Sequence, residues 1–170
     1  DAGDTGRLRS AWFGGAPVFQ AQNPDLSGRP RVLRFDNSAI EIARTFDPGG
    51  REASREIDGT APTTRIEQYT YDTIGRLEHI DLTIGATIGS SDFAYNARDR
   101  LVHEATALNA DSRSVGYGYD PLTGLRTTKT ETTGGATTTT GYGYYDGNRL
   151  AAVDAAAIAW DGFGRQLGGA

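Results

Sequence analysis

Two histidines are the residues of this sequence best suited to acid–base or metal chemistry. His79 and His103 are numbered 24 apart, and a histidine can act as a general base or ligate a metal near neutral pH. Glu78, Asp81 and Glu104 lie beside them in the chain and would complete such a site. Because 22 acidic residues are spread over 170 positions, acidic neighbours of this kind are expected by chance. We therefore interpret the two histidines as exposed residues at equivalent positions of two strands.

Other patterns that signal catalysis or cofactor binding do not occur. The chain has no cysteine, which excludes thiolate nucleophiles, disulfides and zinc–thiolate sites. It also contains neither a Gly-x-Ser-x-Gly nucleophile turn nor a Walker phosphate loop. We predict that the protein is not an enzyme and that it uses no metal and no cofactor.

Composition excludes two classes of partner. The formal net charge is −5 and the isoelectric point is near 5.0, which argues against nucleic acid and anionic membranes. No apolar run approaches the roughly 20 residues that a membrane-spanning helix needs. No signal peptide is recognisable. The sequence has no Met, so we expect a processed product or a piece of a longer polypeptide. Lys129 is the only lysine, which indicates that the arginines have placed structural roles.

A short motif recurs along the whole chain. It begins with Asp or Asn, continues with about three residues that usually include Gly, and ends with Arg. From Asp25 onward the lead residues are separated by 22, 25, 24, 24, 26 and 15 positions, and a shorter copy at 4–7 precedes them. We therefore predict one domain over 1–170, built from a single run of about seven repeats. The copies are Asp25, Gly28 and Arg29; Asp47, Gly50 and Arg51; Asp72, Gly75 and Arg76; Asn96 and Arg100; Asp120, Gly124 and Arg126; Asp146 and Arg149; and Asp161, Gly164 and Arg165.

Turn chemistry explains the residue types of the motif. Asp at the first turn position and Gly at the fourth are typical of a type I turn closed by a left-handed Gly, which makes a three-residue hairpin loop with a G1 bulge. Asp99 replaces Gly in one copy, and Asp tolerates the left-handed region. The copy at 146–149 is one residue shorter, which predicts a two-residue type I′ turn. The functional alternative, a ring of catalytic or calcium-binding aspartates, is less favoured than these turn roles.

Alternating residues on each side of the motif predict strands. Tyr69 and Tyr71 stand two apart before one lead residue, as do Tyr117 and Tyr119 before another. Each period then holds two strands of about seven residues, and stacked periods give an all-β antiparallel meander. The length of 170 residues is enough for one domain with a sizeable core. Residues 24 apart become neighbours in alternate strands, which predicts an aromatic ladder on one surface. The ladder comprises Phe46, Tyr71, Tyr95, Tyr119, Tyr145 and Trp160.

Three segments follow the repeat less clearly. Residues 40–46 have the composition of a short helical turn, and 151–159 favour helix by propensity although they occupy a strand slot. For 151–159 we follow the repeat and predict strand. Residues 127–140 are Thr-rich and predict a hairpin around Gly134 and Gly135.

The segment 71–77, Tyr-Asp-Thr-Ile-Gly-Arg-Leu, resembles the Tyr-Asp motif of the RHS/YD-repeat proteins. This family includes bacterial polymorphic toxins, shell-forming subunits of Tc toxin complexes, wall-associated proteins and animal teneurins. The resemblance implies a long sheet of stacked hairpins that spirals into a hollow shell, which in the toxin members encloses a C-terminal effector. The chain is much shorter than the members that close a shell. Its segment 120–125 is spaced as an ordinary repeat turn rather than as the family's self-cleavage motif, so no autoprotease activity is implied.

These observations favour a non-enzymatic scaffold: a segment of an RHS/YD-repeat β-shell that encapsulates or presents a toxin, from a secreted or surface-exposed bacterial protein. Expected partners are flanking shell segments or other chains at the sheet edges, including copies of itself, and an enclosed effector. One alternative is a carbohydrate-binding cell-surface module, because exposed aromatic rings can stack on sugars and the repeat arginines could bind acidic glycans. Another is a self-assembling extracellular β-fibre. In the scaffold interpretation, the repeat arginines bond turn carbonyls or pair with the motif Asp of a neighbouring hairpin.

Overall fold

The chain folds into β-strands joined by short turns. The structure, a computed structural model, describes residues 10–13, 15–35, 39–59 and 64–167. No helix in these ranges is long and apolar enough to cross a membrane. The strands are β1 (Ser10–Phe13), β2 (Ala16–Pro24), β3 (Pro30–Phe35), β4 (Ile40–Phe46), β5 (Glu52–Asp58), β6 (Arg65–Tyr71), β7 (Leu77–Ile84), β8 (Thr87–Tyr95), β9 (Leu101–Leu108), β10 (Asp111–Tyr119), β11 (Arg126–Thr133), β12 (Ala136–Tyr144), β13 (Leu150–Val153), β14 (Ala156–Ala157), β15 (Ala159–Trp160) and β16 (Gln166–Leu167).

The strand order confirms the all-β meander that the repeat predicts. In the described part of the chain, β1 to β14 are hydrogen-bonded in chain order, and β15 and β16 form a separate two-stranded sheet. The chain divides into two compact units, Asp1–Ser91 and Asp92–Ala170, with the boundary inside β8. The prediction of a single run of repeats over 1–170 stays a prediction, and the motif copy at 4–7 lies outside the described residues.

Every described motif turn joins two consecutive antiparallel strands. In the first unit the turns at 25–29, 47–51 and 72–76 follow β2, β4 and β6. In the second unit the turns at 96–100, 120–125, 145–149 and 161–165 follow β8, β10, β12 and β15.

The turn at 72–76 shows the common geometry. The Asp72 N–H donates to the Arg76 carbonyl over 2.8 Å, and the Gly75 N–H donates to the Asp72 carbonyl over 3.0 Å. Gly75 has a φ of 94°, and the register shifts between Thr70 and Tyr71 where the strand enters the turn. These are the bonds of a type I turn followed by a G1 bulge. The turns led by Asp25, Asp47, Asn96 and Asp161 have the same two backbone bonds.

The turn at 120–125 is one residue longer than the others. The Asp120 N–H donates to the Leu125 carbonyl over 2.8 Å, and the Gly124 N–H donates to the Asp120 carbonyl over 2.9 Å. Leu125 therefore closes this turn where the sequence pattern placed Arg126. Arg126 is instead the first residue of β11.

The prediction of a shorter loop led by Asp146 is wrong. The Tyr145 N–H donates to the Arg149 carbonyl over 2.8 Å, and the Asn148 N–H donates to the Tyr145 carbonyl over 3.2 Å. Tyr145 thus takes the lead position, and the loop has the usual length. Two consecutive residues of this loop have positive φ, Gly147 at 85° and Asn148 at 67°, and Gly and Asn adopt this conformation more readily than most residues.

Strand pairing decides the three ambiguous segments. Residues 40–46 form strand β4, so the helical-turn interpretation is wrong, and β4 pairs with β3 and β5. Residues 151–159 contribute to β13, β14 and β15 despite their helix propensity. The Thr-rich segment forms the β11–β12 hairpin, with Gly134 and Gly135 at φ values of 56° and 82°.

The expectation of a sizeable core is wrong. Among the described residues, Val115 is the one apolar side chain that is fully buried. Within each unit the described strands contact mainly their neighbours in sequence, so no second layer formed by described residues covers the sheet. Val115 lies opposite Glu104 and Glu131 in the adjacent strands, and Arg113 bonds both carboxylates, at 3.5 Å and 2.6 Å. The carbon stems of such long polar side chains shield the sheet where a core would otherwise do so.

We expect Gly75→Val to lower the free energy of unfolding by about 1–2 kcal/mol, because a β-branched side chain is strained at positive φ. A Cβ at this position would also lie 3.3 Å from Arg51 Nη1. The matched control is Ile74→Val in the same turn, where the side chain is exposed and the change should be below about 0.5 kcal/mol. Urea denaturation followed by circular dichroism measures both, and equal effects would contradict the G1-bulge geometry.

Candidate functional site

The lead aspartate of a motif turn binds both the turn backbone and the motif arginine. Asp72 Oδ1 accepts the N–H groups of Ile74 and Arg76 at 3.1 Å and 2.9 Å, and its Oδ2 accepts Arg76 Nε at 2.6 Å. The same carboxylate–guanidinium bond is 2.7 Å long in the turns led by Asp25, Asp47 and Asp161. The arginines were expected to bond turn carbonyls or to pair with the aspartate of a neighbouring hairpin, and the second of these alternatives is wrong at these four turns. The ion pair lies within one hairpin.

These bonds favour the ionised carboxylate. The backbone N–H of Arg51 holds the pKa of Asp47 below its ordinary value, against partial desolvation and with help from the Arg51 guanidinium. At Asp72 desolvation raises the pKa, but the side chain and backbone N–H of Arg76 outweigh it and the net pKa is lowered. The turns are thus stabilised most when their aspartates are charged.

The arginine of one turn also reaches the next turn along the chain. The Arg29 guanidinium lies over the Phe46 ring, with Cζ 4.3 Å from the ring centroid. Its Nη1 donates to the carbonyl of Gly50 in the following motif turn. A guanidinium over an aromatic ring contributes about 0.5–2 kcal/mol, so this side chain links two consecutive hairpins by a ring contact and a hydrogen bond.

The same contact recurs in both units. Arg51 lies over Tyr71 at 4.6 Å, and Arg100 lies over Tyr119 at 4.5 Å. Arg100 Nη1 also donates to the Gly124 carbonyl over 2.6 Å. A Cβ on Gly124 would lie only 2.7 Å from this nitrogen. The motif glycine therefore serves the left-handed turn and leaves space for the arginine of the preceding repeat.

The aromatic residue before a turn returns a hydrogen bond to the preceding repeat. Tyr71 Oη donates to the Glu52 carbonyl over 2.8 Å, and Tyr119 Oη donates to the Leu101 carbonyl over 2.7 Å. Each acceptor is the residue that follows a motif arginine. Trp160 Nε1 makes the corresponding bond to the Leu150 carbonyl over 2.8 Å. Consecutive repeats are thus joined by side-chain contacts in both directions.

The structure changes one member of the predicted aromatic ladder. Tyr144, not Tyr145, occupies the position before the turn, and its Oη donates to the Arg126 carbonyl over 2.9 Å. Tyr145 is 47% exposed, because it has taken the lead position of the turn. Tyr95 lies directly before Asn96 and is half-buried. An arginine side chain lies against each of Phe46, Tyr71, Tyr119 and Trp160.

Sequence analysis missed two polar networks on the strands. In the first unit Tyr69 Oη donates to Glu67 over 2.5 Å, and both desolvation and this bond raise the pKa of Tyr69. In the second unit the bonds from Arg113 and Lys129 lower the pKa of Glu131 to about 2. The available signal was the spacing of two, which places Glu67 beside Tyr69 and Lys129 beside Glu131 on one face of a strand.

The two histidines lie in different units. His103 is exposed opposite Gly116 of β10, as expected. The same expectation is wrong for His79, which is half-buried and whose Nε2 is 3.1 Å from Asp81 Oδ1. In the described ranges no three or more His, Asp or Glu side chains are grouped so that they could hold a metal ion. The absence of enzymatic activity stays a prediction.

The structural class of this chain is a sheet of stacked repeat hairpins that are joined by arginine–aromatic contacts, with no second layer among the described residues of either unit. No protein-family model matches the sequence, and no curated protein is significantly similar to it. A solved structure with a similar fold is the crystal structure of TcdB2-TccC3-Cdc42, which contains a Tc toxin component. The TM-score is 0.73 at 14% sequence identity, over 95% of this chain and 10% of that chain. At this identity the similarity shows the fold, and this chain spans about one tenth of the other's length.

We expect Arg100→Lys and Tyr119→Leu to be coupled by about 0.5–2 kcal/mol in a double-mutant cycle, because lysine keeps the charge but loses the planar contact. Urea denaturation of the four proteins gives the coupling energy. The control cycle combines Arg100→Lys with Tyr144→Leu, whose ring has no described contact with Arg100. Strict additivity in the first cycle, or equal coupling in both, would contradict the proposed link between hairpins.

We expect the stability of the chain to fall as the pH is lowered through the range in which the motif aspartates become protonated. The folded pKa of Asp72 lies below its unfolded value, so its contribution is complete above about pH 5 and is lost as the pH falls through the folded pKa. Asp72→Asn should therefore reduce the loss of melting temperature between neutral and acidic pH. The control is Asp111→Asn, at an exposed carboxylate without a described ion pair. Identical profiles for the two variants would contradict this role of Asp72.

Proposed function

We propose that this chain is a structural segment of an RHS/YD-repeat β-shell and has no enzymatic role. In this proposal its strands form part of a wall that encloses or presents a toxin or effector, in a secreted or surface-exposed bacterial protein. The observation that carries the proposal is the repeated link between hairpins, in which an arginine binds the aspartate of its own turn and the aromatic ring of the next.

The absence of a core in each unit supports a wall. An ordinary globular domain buries apolar faces of two packed layers, whereas Val115 is the one fully buried apolar side chain of the described residues. Stability in such a sheet comes from contacts along the sheet. The arginine–aromatic contacts at the turns and the ion pairs on the strands, such as that of Arg113 with Glu131 at 2.6 Å, act in this direction.

The likeness in fold is further support. The match to the Tc toxin component covers 95% of this chain and leaves nine tenths of the other chain unmatched. We propose that this chain likewise functions beside further repeats.

Strand edges are the proposed points of contact with partners. Among the described strands of the first unit, β1 pairs with β2 alone. Among those of the second unit, β14 pairs with β13 alone. A strand with one paired edge is a template for another strand, and Trp12 and Phe13 of β1 are 59% and 81% exposed. We propose that flanking shell segments, another protein or a second copy of the chain cover these edges.

We expect the isolated chain to associate at micromolar concentration, and sedimentation velocity with small-angle scattering tests this. Trp12→Lys should weaken association because charge on an edge strand opposes pairing. Leu122→Lys is the matched control, since Leu122 is 90% exposed in a turn away from the edge strands. Electron microscopy separates curved sheet assemblies from the straight fibres of the alternative. A compact 18.1 kDa monomer, or turnover that depends on His79 or His103, would contradict the proposal.

A further inference from the structure

Three aspartates of this chain are followed directly by a glycine, and they are Asp58, Asp146 and Asp161. Such a pair can cyclise, because glycine has no Cβ to shield its backbone nitrogen and rotates freely toward the preceding carboxyl group. A Cβ on the glycine of any of the three pairs would meet no atom within 4 Å. All three pairs therefore have room to react, and the difference between them lies in how the carboxylate is bound.

The carboxylate of Asp161, which leads its motif turn, is held by three donors. Its Oδ1 accepts the N–H groups of Phe163 and Arg165, each over 2.9 Å, and its Oδ2 accepts Arg165 Nε over 2.7 Å. These bonds, the backbone N–H of Arg165 foremost, lower the pKa of Asp161. Because the neutral acid is the form that can lose its hydroxyl group, an ionised and anchored carboxylate is protected from cyclisation.

The carboxylate of Asp58, at the end of β5, has two donors. Its Oδ1 accepts the N–H of Gly59 over 3.1 Å and the hydroxyl of Thr64 over 3.4 Å. Both bonds are longer than those of Asp161, so we expect weaker protection.

The carboxylate of Asp146 has no hydrogen bond and no ion pair with any described residue, and both Asp146 and Gly147 are exposed. The reason is the register of this loop. Tyr145 takes the lead position, which places the aspartate one position later, where no turn N–H is donated to it. Among the three Asp–Gly pairs of the described chain, this one alone has an unanchored carboxylate.

We propose that Asp146 is a site of spontaneous isoaspartate formation. The Gly147 nitrogen attacks Cγ of the protonated carboxyl group, the N–Cγ bond forms, and the hydroxyl group leaves with the amide proton as water. Water then adds to one of the two carbonyl carbons of the five-membered imide and breaks its bond to nitrogen. Cleavage at Cγ restores aspartate, whereas cleavage at the main-chain carbonyl leaves the chain running through Cβ and Cγ. The water lost is regained, and no oxidant or reductant is needed.

The product has one additional carbon atom in the main chain of a closed loop. Two backbone bonds close this loop, from the Tyr145 N–H to the Arg149 carbonyl over 2.8 Å and from the Asn148 N–H to the Tyr145 carbonyl over 3.2 Å. We expect the longer main chain to break the second bond and to loosen β13, which has four residues. The proposal is independent of the shell function, since the reaction needs only water and the loop itself.

The test incubates the 170-residue chain in mildly acidic buffer made with oxygen-18 water. Peptide mapping by mass spectrometry locates the oxygen-18 that imide hydrolysis introduces, and isoaspartyl methyltransferase labels the isomerised product. We expect isoaspartate to form at Asp146 faster than at Asp58, and about tenfold faster than at Asp161, the factor expected for one charge-assisted hydrogen bond. No isoaspartate at Asp146, or formation at Asp58 or Asp161 at an equal or higher rate, would overturn the proposal.

The same incubation in urea separates the effect of structure from that of sequence. The three rates should converge when the hydrogen bonds of the folded chain are lost. A difference between the three sites that persists in urea would assign it to the flanking residues and refute the role of the loop.

Arg165→Ala is the matched variant, because it removes the Nε donor of Asp161 and Arg165 is exposed. It should speed isoaspartate formation at Asp161 and leave the rate at Asp146 unchanged, and an unchanged rate at Asp161 would contradict the proposed protection. Amide hydrogen exchange of Ala152, which pairs with Gly143, should be faster in the modified protein. Equal exchange before and after modification would refute the loosening of β13.

Discussion

The sheet depends on a guanidinium group that is bound in two places. At Arg29 and Arg51 the carboxylate of the same turn holds the guanidinium through Nε, and the aromatic ring of the following repeat lies against it. Asp supplies the anion, Gly leaves the space and the ring supplies the contact surface, so the repeat has few interchangeable positions. Lysine could not replace this arginine, because an ammonium group has neither the planar face nor the spaced donors.

The described strands gain little free energy from the burial of apolar side chains, so their stability must come from polar contacts. An isolated surface ion pair contributes about 0–1 kcal/mol, but the turn aspartates also accept backbone N–H groups and the arginines also contact rings. Groups with several simultaneous partners lose less side-chain entropy per contact than separate pairs would. Many connected polar contacts of modest energy therefore take the place of apolar packing in each unit.

Sequence reasoning predicted the fold class because period, turn residues and strand alternation all agree in this chain. Asp and Gly three positions apart indicate a backbone conformation that few other residues favour. The position of the turn at 72–76 could therefore be predicted from Asp72 and Gly75. The same reasoning failed at 145–149 because Asn148 can replace Gly and Tyr145 can replace Asp without loss of the backbone bonds. The place of Arg126 could not be predicted, because one extra residue at 120–125 makes Leu125 the closing residue of the turn and moves Arg126 into β11.

Because the strands of each unit pair with their neighbours in sequence, the chain can fold through local contacts. Every described strand pair joins segments that are adjacent in sequence, such as β4 with β5 and β6 with β7. The loops that must close are therefore short, and low contact order is associated with rapid folding. A hairpin can pair as soon as it leaves the ribosome, without waiting for distant residues. The repeat therefore suits folding during synthesis, in which the chain emerges from one end and each new strand pairs with a strand that has already formed.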